Sequence, residues 1–128
     1  MVFRNFQFLG PESIAAAEAA ECAKDQKQFW AYHDALYSAE IIDGRENNGN
    51  LSRGLFLKLA SNLKLDTAAF TTCLDSNKYL DQVNEDYLNA QKLEINSTPT
   101  TFVNGQKIAG ARPYGDFKAA IDEILKVE

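Results

Sequence analysis

The sequence predicts an α/β fold in which one strand, a block of helices, a β-hairpin and a closing helix follow one another. The apolar and aromatic run "VFRNFQF" near the N-terminus is typical of a strand, and Gly10 and Pro11 end it. Asn104-Gly105, between two short apolar runs, is the strongest short hairpin signal. The 128 residues are enough for one domain with a single hydrophobic core.

Four or five helices are predicted between the strand and the hairpin. The Ala-rich run "ESIAAAEAAECAKDQ" predicts the first, which begins at Pro11 or after a Ser13 cap. "QFWAYHDALYSA" predicts the second, and the polar loop "IIDGRENNGNLS" follows it. Ser52 and Asp66 are expected to cap the next two helices, and "SNKYLDQVNEDYLNAQKL" predicts a longer amphipathic one. After Pro113, "YGDFKAAIDEILKV" predicts the last helix, with these side chains inward: Phe117, Ile121, Ile124 and Leu125.

The overall charge excludes several classes of partner. The net charge is −5 and the isoelectric point is about 4.9, whereas nucleic acids and anionic membranes attract basic surfaces. No apolar run is long enough to span a membrane, and "MVFRNFQFLG" is too short and too polar for a signal peptide. We therefore expect no nucleic-acid partner, no membrane span and no signal peptide in this chain.

The two cysteines, Cys22 and Cys73, lie 51 positions apart and form no Cys-x-x-Cys motif. Three arrangements are compatible with the sequence: a disulfide that staples two helices, two buried free thiols, or a redox-active pair. A staple would close a long loop, stabilise the fold by roughly 4 kcal/mol, and indicate an oxidising compartment. No metal site is expected, because two cysteines and one histidine lack the required spacing.

Other polar and aromatic side chains are given structural roles. His33, the only histidine, has no nucleophile marked beside it, so we expect it to be half-buried and hydrogen-bonded locally. Phe29 and Trp30 are assigned to the core. Three acidic positions are expected on a solvated helix face: Glu18, Glu21 and Asp34.

Pro99 has two interpretations from the residues alone. It begins a strand, where a missing N–H is tolerated, or it follows a cis peptide bond and shapes a loop.

Several segments together resemble the bacterial DsbA-like thiol:disulfide oxidoreductases: "FRNFQF", "AAEAAECAKDQKQFWAYHDALY", "FTTCLDSNKY", "STPTTFVNG" and "GARPYGDFKAAID". The resemblance runs over nearly the whole chain. It implies a partial thioredoxin-like fold with an inserted α-helical domain. It also implies a cis bond before Pro99, a loop that faces the redox-active Cys-x-x-Cys of such proteins, and Thr98 backbone groups that bind an extended peptide.

This chain departs from that family in one respect, because the Cys-x-x-Cys is missing. The resemblance therefore covers a C-terminal portion, with residues 1–9 and 96–128 as a partial thioredoxin-like domain and residues 10–95 as the inserted helical domain. A chain without the dithiol is expected to be inactive alone. The parent protein is expected to be extracytoplasmic, and the unpaired sheet edges predict self-association.

Three hypotheses for function follow, none of which requires a cofactor. The first is a part of a DsbA-like oxidoreductase acting on extended peptides or protein thiols. The second is a non-catalytic thioredoxin-like module that binds peptides. The third is a DsbA-like glutathione-dependent isomerase or transferase.

Overall fold

The computed structural model describes residues 1–40 and 44–126. Residues 41–43 of the predicted loop and residue 127 of the predicted last helix lie outside the described residues. The chain forms two compact units, Met1–Asn89 and Ala90–Glu128, which are described separately.

The first unit contains the helical block. Its helices, in chain order, are α1 Pro11–Lys24, α2 Phe29–Ala39, α3 Arg53–Asn62, α4 Thr67–Asp75 and α5 Leu80–Lys92, whose last residues belong to the second unit.

The helices begin where local chemistry predicts. Pro11 occupies the first position of α1, where its missing N–H is not needed, and the Glu12 N–H in the same turn donates to the Asn47 side chain at 3.1 Å. The Ser52 side chain accepts a hydrogen bond from the Leu55 N–H at 3.2 Å. The Asp66 carboxylate accepts one from the Ala69 N–H at 3.1 Å. The predicted caps of α3 and α4 are thus confirmed.

Four helices end in the same way, although none has the glycine that usually marks such an end. In each, one residue adopts a positive φ and the next N–H bonds to the carbonyl five residues earlier. This is the Schellman motif, which satisfies the last carbonyls of a helix. The positive-φ residues are Lys27 after α1, Lys64 after α3, Asn77 after α4 and Glu94 after α5.

Helix α1 is the centre of the first unit, because α2, α3 and α4 all contact it. Its alanines are buried there together with three larger side chains, Tyr32, Phe56 and Phe70. The Tyr32 hydroxyl donates a hydrogen bond of 2.9 Å to the Phe56 carbonyl, so its polar atom is satisfied inside the core. Burial raises the pKa of Tyr32 far above its ordinary value, which keeps this hydroxyl protonated as a donor.

Several predictions of which side chains are buried and which are exposed are wrong. In α2 the fully buried aromatic ring is Tyr32, whereas Trp30, which the sequence assigns to the core, is 44% exposed. Glu18 and Glu21 are buried instead of solvated, because α1 is covered at these positions by its neighbours. Asp34 is exposed as predicted. In the last helix, two of the residues assigned to the inside are exposed: Ile121 and Leu125.

The predicted strand at residues 2–8 is also wrong, because no strand is present there. The segment is held by side chains instead of a ladder. Asn5 donates from its backbone N–H to Asp86 at 3.2 Å, and from its amide to Glu21 at 3.0 Å and to Asp86 at 3.1 Å. Gln7 donates to the Val83 carbonyl at 2.8 Å. A strand requires a neighbouring strand to pair with, and within residues 1–40 and 44–89 there is none.

The second unit contains the hairpin and the closing helix. Strands β1 Thr100–Val103 and β2 Gln106–Ala109 pair antiparallel, with Val103 opposite Gln106. Asn104 and Gly105 both have positive φ, as a two-residue hairpin turn requires, so the predicted turn is confirmed. Helix α6 Tyr114–Lys126 follows and contacts β1.

We predict that Phe70→Ala will lower the free energy of unfolding by about 3–5 kcal/mol, because it removes a fully buried ring and leaves a cavity. Chemical denaturation followed by circular dichroism measures this. The control is Leu88→Ala on the exposed face of α5, with an expected change below about 1 kcal/mol. Equal losses in the two variants would contradict the assignment of the core.

Candidate functional site

The loop before β1 is shaped by a cis peptide bond between Thr98 and Pro99. Two hydrogen bonds fix the loop on the hairpin. The Gly110 N–H donates to the Pro99 carbonyl at 2.7 Å, and the Thr100 hydroxyl donates to the Ser97 carbonyl at 2.7 Å. The Asn-Gly turn sets the register that places Gly110 opposite Pro99, so the hairpin sequence positions this loop.

Thr98 and Pro99 are both exposed. No described residue hydrogen-bonds the backbone N–H or carbonyl of Thr98. Strand β1 pairs with β2 along one edge, and its other edge has no strand partner among residues 90–126. The loop and the adjoining strand can therefore offer backbone groups to an extended chain.

A disulfide between Cys22 and Cys73 joins α1 to α4 in the first unit. Both sulfur atoms are shielded, with Cys22 1% and Cys73 8% exposed. Each cysteine lies in the last turn of its helix, and the Cys73 carbonyl accepts the Lys78 N–H of the helix-ending motif at 3.3 Å. No free cysteine remains in the chain.

A charged cluster lies beside this disulfide. The Asp25 carboxylate accepts hydrogen bonds from the Lys78 ammonium at 2.7 Å and from the Tyr79 hydroxyl. The same carboxylate lies 3.9 Å from Cys73 Sγ, which has no proton to donate because it is disulfide-bonded. The Lys78 ammonium also lies 5.3 Å from the centre of the Tyr79 ring.

The cluster changes the pKa of its members. Burial raises the pKa of Asp25, but the hydrogen bonds from Lys78 and Tyr79 and the charges of Lys78 and Lys24 outweigh it, so the pKa falls below its ordinary value. The hydrogen bond to Asp25 raises the pKa of Lys78 and also that of Tyr79. At neutral pH the cluster therefore holds a carboxylate and an ammonium near Cys73.

His33 belongs to a group of stacked rings at the surface of the first unit. Its Nδ1 lies 3.0 Å from the exposed Asp34 carboxylate, and its ring contacts those of Phe3, Trp30 and Tyr37. Within the described part of the chain no cysteine or serine is bonded to His33, so neither of these nucleophiles is placed for it to activate.

The sequence did not reveal the charged cluster, because Asp25 lies 53 and 54 residues from Lys78 and Tyr79 and no motif connects them. Within the described residues no group of three or more acidic, histidine or cysteine side chains could hold a metal ion. No helix of the described part is long and apolar enough to cross a bilayer.

Comparison with known proteins identifies relatives. A family model described as thioredoxin matches residues 1–123. The "Probable disulfide bond formation protein D" of Bacillus anthracis is 32% identical over 131 aligned positions, which cover 98% of this chain and 58% of the relative. The chain thus spans less than two thirds of that relative's length.

A comparison with solved structures concerns the fold. A thioredoxin-like oxidoreductase from Silicibacter pomeroyi superposes with a TM-score of 0.79 and 26% identity, over 98% of this chain and 68% of that one. The predicted thioredoxin-like fold class is confirmed.

The "Na(+)/H(+) antiporter NhaA 1" of Salinispora arenicola is 33% identical over 87% of this chain but over only 16% of the antiporter. That match concerns one segment of a much larger protein.

We predict that reducing the Cys22–Cys73 disulfide will lower the free energy of unfolding by about 4 kcal/mol, because the bond closes a loop of 51 residues in the unfolded chain. Denaturation with and without dithiothreitol measures this. The doubly substituted variant Cys22→Ala/Cys73→Ala is the control, and dithiothreitol should leave its stability unchanged. A difference below about 1 kcal/mol would contradict a stapling role.

We predict that Asp25→Asn will make the protein less stable at pH 7 by up to about 1 kcal/mol, since the cluster is partly exposed. Because folding lowers the pKa of Asp25 below its ordinary value, its stabilisation is complete above the unfolded-state pKa and is lost as the pH falls through the folded-state pKa. The variant should thus lose less stability on acidification than the wild type. Glu46→Gln, at an exposed loop position, is the control and should follow the wild-type curve. Parallel curves for wild type and Asp25→Asn would contradict the pKa shift.

Proposed function

Because the chain belongs to the thioredoxin family, in its DsbA-like branch, we propose that it is the substrate-holding part of a protein thiol:disulfide oxidoreductase. The reaction class is supported by the relatives named disulfide bond formation protein D. In such a reaction a substrate thiolate attacks the enzyme's disulfide and forms a mixed disulfide. A second substrate thiolate then breaks it, which leaves the substrate oxidised and the enzyme as a dithiol.

The exposed loop at Thr98 and Pro99 is the observation that carries this proposal. An extended peptide placed beside the loop would find the unbonded N–H and carbonyl of Thr98 and the open edge of β1. A loop that binds through main-chain hydrogen bonds can accept peptides of many sequences, because every peptide carries the same backbone groups. We therefore infer that the loop binds unfolded proteins with thiol groups and has little preference for their sequence.

The Cys22–Cys73 pair is poorly suited to supply the dithiol. An attacking thiolate must reach a sulfur atom, and both of these are almost completely shielded. Both sulfurs also lie at helix C-termini, whose partial negative charge would destabilise a leaving thiolate, and the Asp25 carboxylate adds to this at Cys73. We infer that this disulfide is structural and that the chain alone does not catalyse thiol exchange.

The reactive dithiol is therefore inferred to lie outside these 128 residues. The greater length of the Bacillus anthracis relative is compatible with this inference. A structural disulfide persists in oxidising surroundings, which supports an extracytoplasmic location for the complete protein. Self-association through the open strand edge stays a prediction, which sedimentation at high concentration would measure.

A peptide-binding module without redox chemistry is the second candidate. It is favoured by the absence of a free cysteine combined with the open Thr98 backbone. Both candidates use the same loop, and they differ only in whether a dithiol operates beside it.

The first test is reduction of insulin by dithiothreitol, followed by turbidity. We expect this chain to give the uncatalysed rate, because neither sulfur is accessible. The full-length Bacillus anthracis relative is the comparison protein and should accelerate the reaction. Acceleration by this chain, abolished in Cys22→Ala/Cys73→Ala, would contradict the structural role of the disulfide.

The second test measures peptide binding by fluorescence anisotropy with a labelled, unfolded peptide whose cysteines are alkylated. Pro99→Ala should weaken binding by about five- to thirtyfold, since displacement of the loop removes one or two main-chain hydrogen bonds of roughly 1 kcal/mol each. Pro113→Ala, at an exposed position before α6, is the matched control and should bind like the wild type. Equal affinities for all three proteins would overturn the proposed role of the loop.

A further inference from the structure

A cavity in the first unit is lined by residues other than those of the disulfide and its charged cluster. It has a volume of about 310 Å³ and opens between α1, α3 and α4. Four apolar side chains contribute to its lining: Ala15, Leu51, Phe56 and Leu74. A surface of this kind can accept a short hydrocarbon chain.

One carboxyl oxygen in the lining of this cavity has no hydrogen-bond partner among the described residues. Glu18 lines the cavity and is only 7% exposed, and its Oε1 is buried without a hydrogen bond from any described residue. Its neighbour Glu21, one turn later in α1, is also buried but accepts hydrogen bonds from Asn5 at 3.0 Å and from Lys24 at 3.5 Å. Buried polar atoms are nearly always bonded, and an orphaned one costs about 1–3 kcal/mol. The two glutamates therefore differ in that Glu18 alone needs a donor from elsewhere.

The charges around the cavity indicate that the missing hydrogen-bond donor to Glu18 is positively charged. Among the described residues that line the cavity Arg53 is the only cation, and it is paired with Asp75 through two hydrogen bonds of 3.1 and 2.9 Å. This pairing leaves the charge of an ionised Glu18 uncompensated. Burial raises the pKa of Glu18, as expected for a carboxyl group without a partner. An added cation would reverse this by stabilising the carboxylate.

We propose that this cavity binds a primary alkylammonium group, whose ammonium donates to the Glu18 carboxylate and whose alkyl chain contacts the apolar lining. A charge-assisted hydrogen bond in a shielded place is the strongest kind available to such a ligand. A free alkylamine and the side chain of a lysine on another protein carry this same chemistry. The site is independent of the Thr98 loop, so it stands whether or not the proposed peptide binding is found.

The test is a titration of the isotopically labelled chain with n-butylammonium chloride, followed by the amide NMR signals of Ala15, Phe56 and Leu74. We expect saturable shifts with n-butylammonium, and none with sodium chloride or with butan-1-ol at equal concentration. Glu18→Gln should weaken binding about tenfold or more, because it removes the charged acceptor. Glu85→Gln removes the same charge from an exposed position on α5 and should bind like the wild type.

The two sources of the ligand are separated by a parallel titration with lysine blocked at both its amino and carboxyl ends. Binding of blocked lysine identifies a protein side chain, and binding of n-butylammonium alone identifies a free amine. A measurement on the wild type avoids dependence on the folding of any variant. In a pH titration followed by the carbon NMR signal of the Glu18 carboxyl group, n-butylammonium should lower the pKa of that group. Absence of saturable shifts, an unchanged Glu18 pKa, or equal affinity in Glu18→Gln would overturn the proposal.

Discussion

Three helices contact α1, and three of the six residues that it buries are alanines. Ala19, Ala20 and Ala23 have side chains small enough for the backbones of α2, α3 and α4 to come near, and the larger rings of Tyr32, Phe56 and Phe70 fill the remaining volume. The same crowding explains the chemistry on this helix. It shields the Cys22 sulfur from attack, and it removes Glu18 from water without giving it a partner. The disulfide and the buried carboxyl are thus two results of one packing arrangement.

The sequence predicted those features that depend on neighbouring residues. The Asn104-Gly105 turn, the Ser52 and Asp66 caps and the Pro11 helix start are each determined by two or three adjacent residues. The general fold class was also accessible, because the order of elements and the family resemblance agreed with each other.

The failures concern features that depend on distant partners. Residues 2–8 have the composition of a strand, but a strand exists only where another strand pairs with it, and composition does not reveal the neighbour. Glu18 and Glu21 look like solvated positions on an Ala-rich helix, and only the tertiary contacts of α1 bury them. The helix ends at Lys27 and Lys64 lack the usual glycine, so no local signal marked them. The partners of Asp25 lie 53 and 54 residues away along the chain.

The amide of Asn5 has an electrostatic consequence for the N-terminal segment. One uncharged nitrogen donates to carboxylates on two different helices, Glu21 on α1 and Asp86 on α5, so it separates two anions that would otherwise face each other. Asn5 therefore acts as a neutral spacer between these two helices. Removing this amide would bring mutual repulsion to the junction of α1 and α5, where the Lys24 ammonium lies 3.5 Å from the Glu21 carboxylate.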